Sequence, residues 1–388
     1  MKYLSIGIIG GGTMGRSIAY TAALNKCKTT LYEISPHVLD SAKEEIYRLI
    51  DRQKEKGRFS ESDVRNLKER ITFSCEMTDL AKSDLVIEAV VEELAVKRKV
   101  FTEVEMLLGK DALFATNTSS LSITSIAAAA MDPSKVAGMH FFNPAYLMPL
   151  VEIIPGLESS PETVNRMREI THSWNKTPVT AKDTPGFIVN RIARPFYGEA
   201  LRILEENIAL VPTIDWAMKV IGGFRMGPFE LMDLIGNDIN YKVTESVFEG
   251  LYYDSRYRPS ITQKRMVEAG RLGRKSGMGF YDYSPEALNE EPVKDIELAR
   301  EIWFRIISML INEAVDALHM NIASREDIDL AMMKGVNYPL GLLKWADDIG
   351  PERILARLTE LQQEYGEDRY RPSPLLKKMV KNNERFYP

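Results

Sequence analysis

Six residues near the amino terminus, Gly10-Gly11-Gly12-Thr13-Met14-Gly15, constrain this chain more than any other segment. They follow an apolar run of strand length, residues 3–9, and lead into a stretch that reads as helix, residues 17–24. Strand, GxGxxG and helix in that order form the turn on which a doubly wound, mostly parallel α/β sheet of Rossmann type receives a dinucleotide. Gly10 permits the tight turn, Gly12 lets a pyrophosphate approach the backbone, and Gly15 lets helix and strand pack closely. Thr13 and Met14 lie in the same turn, where unpaired helix N–H groups face the phosphates. The next strand, residues 29–33, ends in Glu33, an acid about 20 residues on, where a ribose partner is expected. A carboxylate accepts hydrogen bonds from a ribose 2′-hydroxyl and repels a 2′-phosphate. No Arg or Lys follows in Ile34-Ser35-Pro36, so NAD is expected rather than NADP.

Further strands are read at residues 84–91 and 112–116, with a helix near residues 95–108 between them, the alternation of a parallel sheet. A charged helical insert, residues 36–70, interrupts the alternation. It carries Lys43, Arg48, Arg52, Lys54, Lys56 and Arg58 among Glu44, Glu45 and Glu55, and its pattern alone reads as a solvated helix pair laced with i,i+4 ion pairs. At 388 residues the chain is long for a single core. Its 50 Lys and Arg against 55 Asp and Glu leave a net charge of −5, which argues against nucleic acid as the main partner. Cys27 and Cys75, in no CxxC spacing, build neither a disulfide framework nor a zinc site and suit a reduced cytoplasm. No run reaches the roughly 18 apolar residues of a membrane span. The amino-terminal run lacks a convincing cleavage site, so a soluble, cytoplasmic protein is expected. No HExxH, cysteine cluster or Asp-rich loop offers a metal site.

Of four histidines, His37, His172 and His319 stand in polar helical surroundings. His140 ends the apolar run Val136-Ala137-Gly138-Met139 and precedes Phe141-Phe142-Asn143-Pro144. A histidine at the end of a sheet strand points toward the ligand crevice of an α/β fold, although spacing alone serves a satisfied core histidine as well. The apolar segment Leu150-Val151-Glu152-Ile153-Ile154 shifts that balance. If the two strands fold back antiparallel around Tyr146, His140 and Glu152 lie opposite one another, and the carboxylate fixes the imidazole tautomer. A polar cluster, Thr116-Asn117-Thr118-Ser119-Ser120, ends another strand on the same side. Ser120 is there a candidate helix cap for the segment from Leu121, leaving Ser119 to the site.

Seven segments, GGGTMG, TNTSSLSITS, HFFNP, LVEII, DTPGFIVNR, GPFELMDLIG and GRKSGMGFY, closely resemble the L-3-hydroxyacyl-CoA dehydrogenase family over residues 3–283. The resemblance implies that His140 is the general base for the 3-hydroxyl proton while the C3 hydride passes to NAD, with Glu152 holding and polarising it. It implies that Ser119 and Asn190 hydrogen-bond the reacting oxygen, that Asn143 lines the pocket by the nicotinamide, and that Asn117 is among the cofactor contacts. Glu92, Lys97 and Lys275 match the family's cofactor contacts. The charged insert becomes a candidate clamp for coenzyme A, with Lys56 the candidate contact, and an acyl-CoA thioester becomes the expected substrate. Departures from the family pattern at Glu33, Pro149 and Phe224-Arg225 bear on acyl preference rather than on the reaction. A sugar-acid or carnitine dehydrogenase of the same superfamily, or a crystallin-like NAD-binding protein, remains the alternative.

The pentamer RYRPS occurs at residues 256–260 and again at 369–373. Around it, Glu199-Ala200, Asp215, Gly227 and Gly236 recur as Glu313-Ala314, Asp329, Gly341 and Gly350, a constant displacement of 114 positions that falls to 113 at the pentamer. Two tandem all-α domains are therefore expected after a nucleotide-binding domain: residues 1–183, 184–284 and 295–388, with the acidic linker 284–295 between the last two. Phe304 stands opposite Asn190, and the loop carrying Lys275 has no counterpart, so the second copy is expected to preserve shape rather than chemistry. Single-copy members of the family pair through this domain, and the second copy is read as taking the partner's place within one chain.

Overall fold

A computed structural model describes residues 4–387; Tyr3, the expected start of the first strand, and the domain termini Met1 and Pro388 lie outside the described residues. The chain divides into two compact units, one running to Thr184 and the other starting at Pro185, so both helical copies share the second unit.

In the first unit the elements run β1 (Ser5–Ile9), α1 (Thr13–Leu24), β2 (Lys28–Tyr32), α2 (Pro36–Glu55), α3 (Glu61–Glu69), β3 (Ile71–Ser74), β4 (Leu85–Glu88) and α4 (Leu94–Glu105). They continue through β5 (Leu113–Thr116), α5 (Ile123–Ala127), β6 (Val136–Phe141), β7 (Leu150–Pro155), α6 (Pro161–Ser173) and β8 (Thr177–Thr180). One eight-stranded sheet results, ordered β3-β2-β1-β4-β5-β6-β7-β8. It is parallel except at the β6–β7 pair. The strands are near-continuous apolar runs because helices cover both faces, burying Ile6, Ile8, Leu31, Leu85 and Ile87 completely. The order reverses between β1 and β4, which opens the crevice for a ligand at the carboxyl ends of those strands.

Three local expectations are corrected. The fourth strand stops at Glu88 rather than running to residue 91, because the buried Glu88 carboxylate accepts the Val90 N–H at 2.7 Å and turns the chain. Helix α5 begins at Ile123 with Ser122 as its cap, accepting from Ser125 N, while Ser120 turns to Glu92 instead. The insert is a helix pair, but its ions do not follow i,i+4 spacing: Arg48 meets Glu45, and Asp51–Lys68 (2.9 Å) and Lys54–Glu61 (2.5 Å) join α2 to α3.

The second unit holds α7 (Val189–Ile192), α8 (Arg194–Glu205), α9 (Val211–Val220), α10 (Pro228–Ile235), α11 (Asn237–Gly250) and α12 (Ile261–Glu268). After the linker come α13 (Ile296–His319), α14 (Arg325–Gly335), α15 (Leu342–Ile349), α16 (Pro351–Tyr365) and α17 (Pro374–Asn382). Its two halves repeat the same stereochemistry. Asp215 accepts the N–H groups of Phe229 and Glu230 and the Tyr281 hydroxyl; Asp329 accepts those of Leu343 and Lys344 and the Tyr387 hydroxyl. Gly236 and Gly350 both take left-handed φ angles, +102° and +101°, between consecutive helices. Asp233 accepts from Phe280 N and Tyr281 N, and Asp347 from Phe386 N and Tyr387 N; over this stretch the displacement shrinks because the second half lacks the Lys275 loop.

The repeated pentamer does more than turn the chain. Arg256 and Tyr257 of the first half reach the buried Glu313 of the second, where Arg191 also donates through Nε at 2.9 Å. Reciprocally, the Tyr370 hydroxyl and Arg305 Nε of the second half donate to the buried Glu199 of the first, each at 3.0 Å, and Arg369 lies 3.9 Å from it. Each half supplies the acid that the other half's Arg-Tyr pair requires.

Candidate active site

The glycine turn fits a dinucleotide. Gly10 has φ +105°, and a Cβ at Gly15 would fall 1.8 Å from Gly10 O, so neither position accepts a larger residue. Around Gly12, which precedes α1 and makes no side-chain cap, nothing lies within 4 Å of a built Cβ, leaving that backbone open to a pyrophosphate. Glu33 follows β2 directly, and its carboxylate accepts from Gly11 N (2.8 Å) and Ser35 N (3.0 Å), which holds the acid beside the turn. Thr13 and Met14 open α1.

Farther along the same sheet edge, β6 and β7 run antiparallel with His140 opposite Glu152. The His140 Nδ1 to Glu152 Oε2 distance is 2.6 Å, His140 is 6% exposed and Glu152 fully buried. The Phe142 ring lies 4.6 Å from the imidazole, centroid to centroid. A carboxylate offers only acceptors, so its bond to Nδ1 places a proton there and leaves proton exchange to Nε2. His37, His172 and His319 are exposed on helices.

Glu92 organises the serine turn. One oxygen accepts from Thr118 Oγ1 (2.6 Å), Ser119 N (2.8 Å), Ser119 Oγ (3.3 Å), Ser120 N (3.2 Å) and Ser120 Oγ (3.2 Å). Burial pushes this carboxyl up, but the Lys97 ammonium and these donors outweigh it and hold its pKa below the usual range. Lys97, expected at the cofactor, is instead enclosed: 1% exposed, it donates to Glu88 at 2.8 Å and lies 3.2 Å from Glu92. It supports the turn from beneath. Asn117 also acts through the backbone, its Oδ1 accepting Phe141 N at 2.8 Å, which ties the end of β5 to the residue after His140.

Sequence reasoning missed the supports of the β6–β7 loop. Lys176 Nζ donates to Ala145 O and Met148 O, and Ser17 Oγ accepts Ala145 N at 2.8 Å. Burial pushes the Lys176 ammonium down to about 8. A lysine just ahead of a strand with no neighbouring acid was the available signal. Asn143, in that loop, is exposed, as is Lys56 at the carboxyl end of α2. In the second unit Asn190 is half-buried on α7, and Lys275 pairs with Asp238 at 2.6 Å.

A family model described as "3-hydroxyacyl-CoA dehydrogenase, NAD binding domain" matches residues 5–184. The C-terminal domain of the same family matches residues 186–283 and again 302–385. The chain belongs to the 3-hydroxyacyl-CoA dehydrogenase family. As a member it is an NAD-dependent oxidoreductase acting on 3-hydroxyacyl-CoA. The chain is 38% identical to the 3-hydroxyadipyl-CoA dehydrogenase of Escherichia coli K12, with 96% of each chain covered. It is 33% identical to the fatty acid oxidation complex subunit alpha of Shewanella frigidimarina, covering all of this chain and 56% of that one. Among solved structures, a 3-hydroxybutyryl-CoA dehydrogenase from Escherichia coli K12 superposes with a TM-score of 0.91 at 36% identity over 98% of this chain and 99% of that one. The (S)-3-hydroxybutyryl-CoA dehydrogenase of Ralstonia eutropha gives 0.70 at 37% identity over 73% and 100%. Among the described residues no helix is long and apolar enough to cross a membrane.

Proposed function

We propose that His140 is the acid–base group of this dehydrogenase and that Glu152 sets its tautomer and stabilises its protonated form. The carrying observation is the buried 2.6 Å contact between them at the carboxyl edge of the sheet. In the oxidative direction Nε2 takes the proton of the 3-hydroxyl, and the positive charge that develops on the ring is compensated by Glu152. Bound NAD supplies the acceptor for the hydride that leaves C3. In the reverse direction His140 returns the proton to the C3 oxygen. Ser119, its backbone N–H fixed by Glu92, turns its hydroxyl from Glu92 to donate to that oxygen, and Asn190 donates to it as well; Asn143 and Asn117 border the nicotinamide side, and Lys275 serves the cofactor. Lys56 and the insert contact the coenzyme A portion of the substrate.

Full-length protein is expected to reduce NAD with 3-hydroxybutyryl-CoA, and to prefer NAD over NADP by at least about tenfold in kcat/KM, a gap of ~1.4 kcal/mol. Equal rates with NADP, or turnover of a free sugar acid or carnitine instead, would sink this reading. Glu92→Gln keeps the shape of the clamp but removes its charge. It is expected to lower kcat/KM by about tenfold to a hundredfold through loosened placement of Ser119, visible by steady-state kinetics with the fold intact by circular dichroism.

The second helical half takes the place of a partner subunit. The double match to the C-terminal domain and the reciprocal Arg-Tyr-to-Glu contacts support this. An interface already satisfied within one chain needs no second copy, and light scattering of the full-length protein is expected to give the mass of one chain. A cytoplasmic setting suits its two free cysteines. One narrower substrate is an acyl chain ending in a second carboxylate, since a relative covering 96% of this chain is named for 3-hydroxyadipyl-CoA.

A further inference from the structure

Arg194 is a buried cation without an acid. It opens α8 one turn after Asn190, is 6% exposed, and forms no ion pair among the described residues. Its Nε donates to Asn190 O at 2.9 Å, and one terminal nitrogen donates to Asn240 O (3.3 Å) and Thr244 Oγ1 (3.1 Å). The Tyr197 ring lies 4.9 Å from the guanidinium carbon, and Asn240 Oδ1 accepts from Gln263 Nε2 at 3.0 Å. Every one of these neighbours is neutral, and burial lowers the guanidinium's pKa from its ordinary value. An enclosed charge met by dipoles alone is unfavourable until an anion joins it.

The second half of the unit is an internal control. At the same displacement of 114 positions, Asn190 corresponds to Phe304, Arg194 to Ser308, Asn240 to Ile354 and Thr244 to Leu358. Gln263 corresponds to Leu376 at the displacement of the pentamer. Ser308, Ile354, Leu358 and Leu376 are all fully buried. The same helical arrangement therefore packs without any charge at these positions. The half that keeps Asn190 is the half that keeps the polar cluster, which ties the cluster to substrate rather than to folding.

We propose that Arg194, flanked by Asn240, Thr244 and Gln263, binds the distal carboxylate of a 3-hydroxyacyl thioester whose short acyl chain ends in a second carboxylate. The inference rests on the reading above, in which Asn190 holds the C3 oxygen. The thioester arm carries its phosphates away from C3 on a long stem, whereas a short acyl arm keeps its end group close to C3 and so to the turn that joins Asn190 to Arg194. A methyl end would leave the guanidinium without an anion. A polar site rejects the analogue that fails to satisfy it far more strongly than an apolar pocket does.

The test compares 3-hydroxyadipyl-CoA with 3-hydroxyhexanoyl-CoA on the full-length enzyme. The two share coenzyme A and chain length and differ in a carboxylate against a methyl. Wild-type kcat/KM is expected to favour the dicarboxylic substrate by about tenfold or more. Arg194→Met is expected to bring that ratio to about one, with Arg194→Lys retaining part of the preference. A wild-type ratio near one overturns the proposal. So does an equal loss on both substrates in Arg194→Met, which would make Arg194 a support for Asn190 alone. Thr244→Val gives the same ratio readout should Arg194→Met not fold. If the wild type oxidises neither thioester, the underlying dehydrogenase reading fails; if it oxidises both equally, that reading stands and this one alone falls.

Discussion

Replacing His140 by alanine is expected to lower kcat by about a thousandfold, ~4 kcal/mol in the barrier, while NAD affinity stays within a few-fold. The imidazole is the group that bonds the buried Glu152, and it lies at the edge of the sheet where dinucleotide crevices form. Without it, the 3-hydroxyl proton has no positioned acceptor as hydride leaves C3. The glycine turn, Gly10 to Gly15, follows β1, three places from β6 in the sheet order, and is untouched. Single-turnover NADH formation measures the first quantity and calorimetric titration of NAD the second. Glu152→Gln should give a smaller loss, because an amide still accepts from Nδ1 but no longer balances the charge on the ring. Wild-type turnover in His140→Ala would remove the catalytic assignment altogether.

Glu313→Ala is expected to cost about 3–5 kcal/mol of stability in the second unit, because it strands buried cations. Arg191 (3% side-chain exposure) would lose its 2.9 Å partner, Arg256 (9%) would keep only Asp254 and Asp316, and the Tyr257 hydroxyl would lose its acceptor. Glu199→Ala should be similarly costly, since Arg305, Arg369 and Tyr370 converge on it from the other half. A neighbour tempers the second case: Glu206 also pairs with Arg305 at 2.7 Å. Urea unfolding followed by tryptophan fluorescence reads both losses. A midpoint at the wild-type value for Glu313→Ala would show that the crossed pairs contribute nothing.

Much of the candidate site was legible in the chain itself. The spacing of His140 and Glu152 about Tyr146 gave their opposition, because antiparallel register is a matter of counting. The glycine turn was legible for a different reason: steric demands at a backbone crossing leave few residue choices. What spacing concealed were the contacts made by groups distant in sequence. Glu92 collects donors from a turn 26 to 28 residues away, and Lys97, polar and helical by pattern, disappears beneath it. Ser120 and Ser122 are equally good caps in isolation; the pull of Glu92 on one leaves the helix to the other.

The sequence alone determined the glycine turn, the facing of one histidine and one acid, and the existence of two similar helical segments, because each follows from local sterics or from counting along a strand or repeat. Only the tertiary structure decided what those helical segments do for each other. RYRPS looks the same in both copies, yet its arginine and tyrosine answer to an acid in the opposite copy. A buried charge is stable where its counter-charge is, and no linear pattern states where a chain will bring the two together.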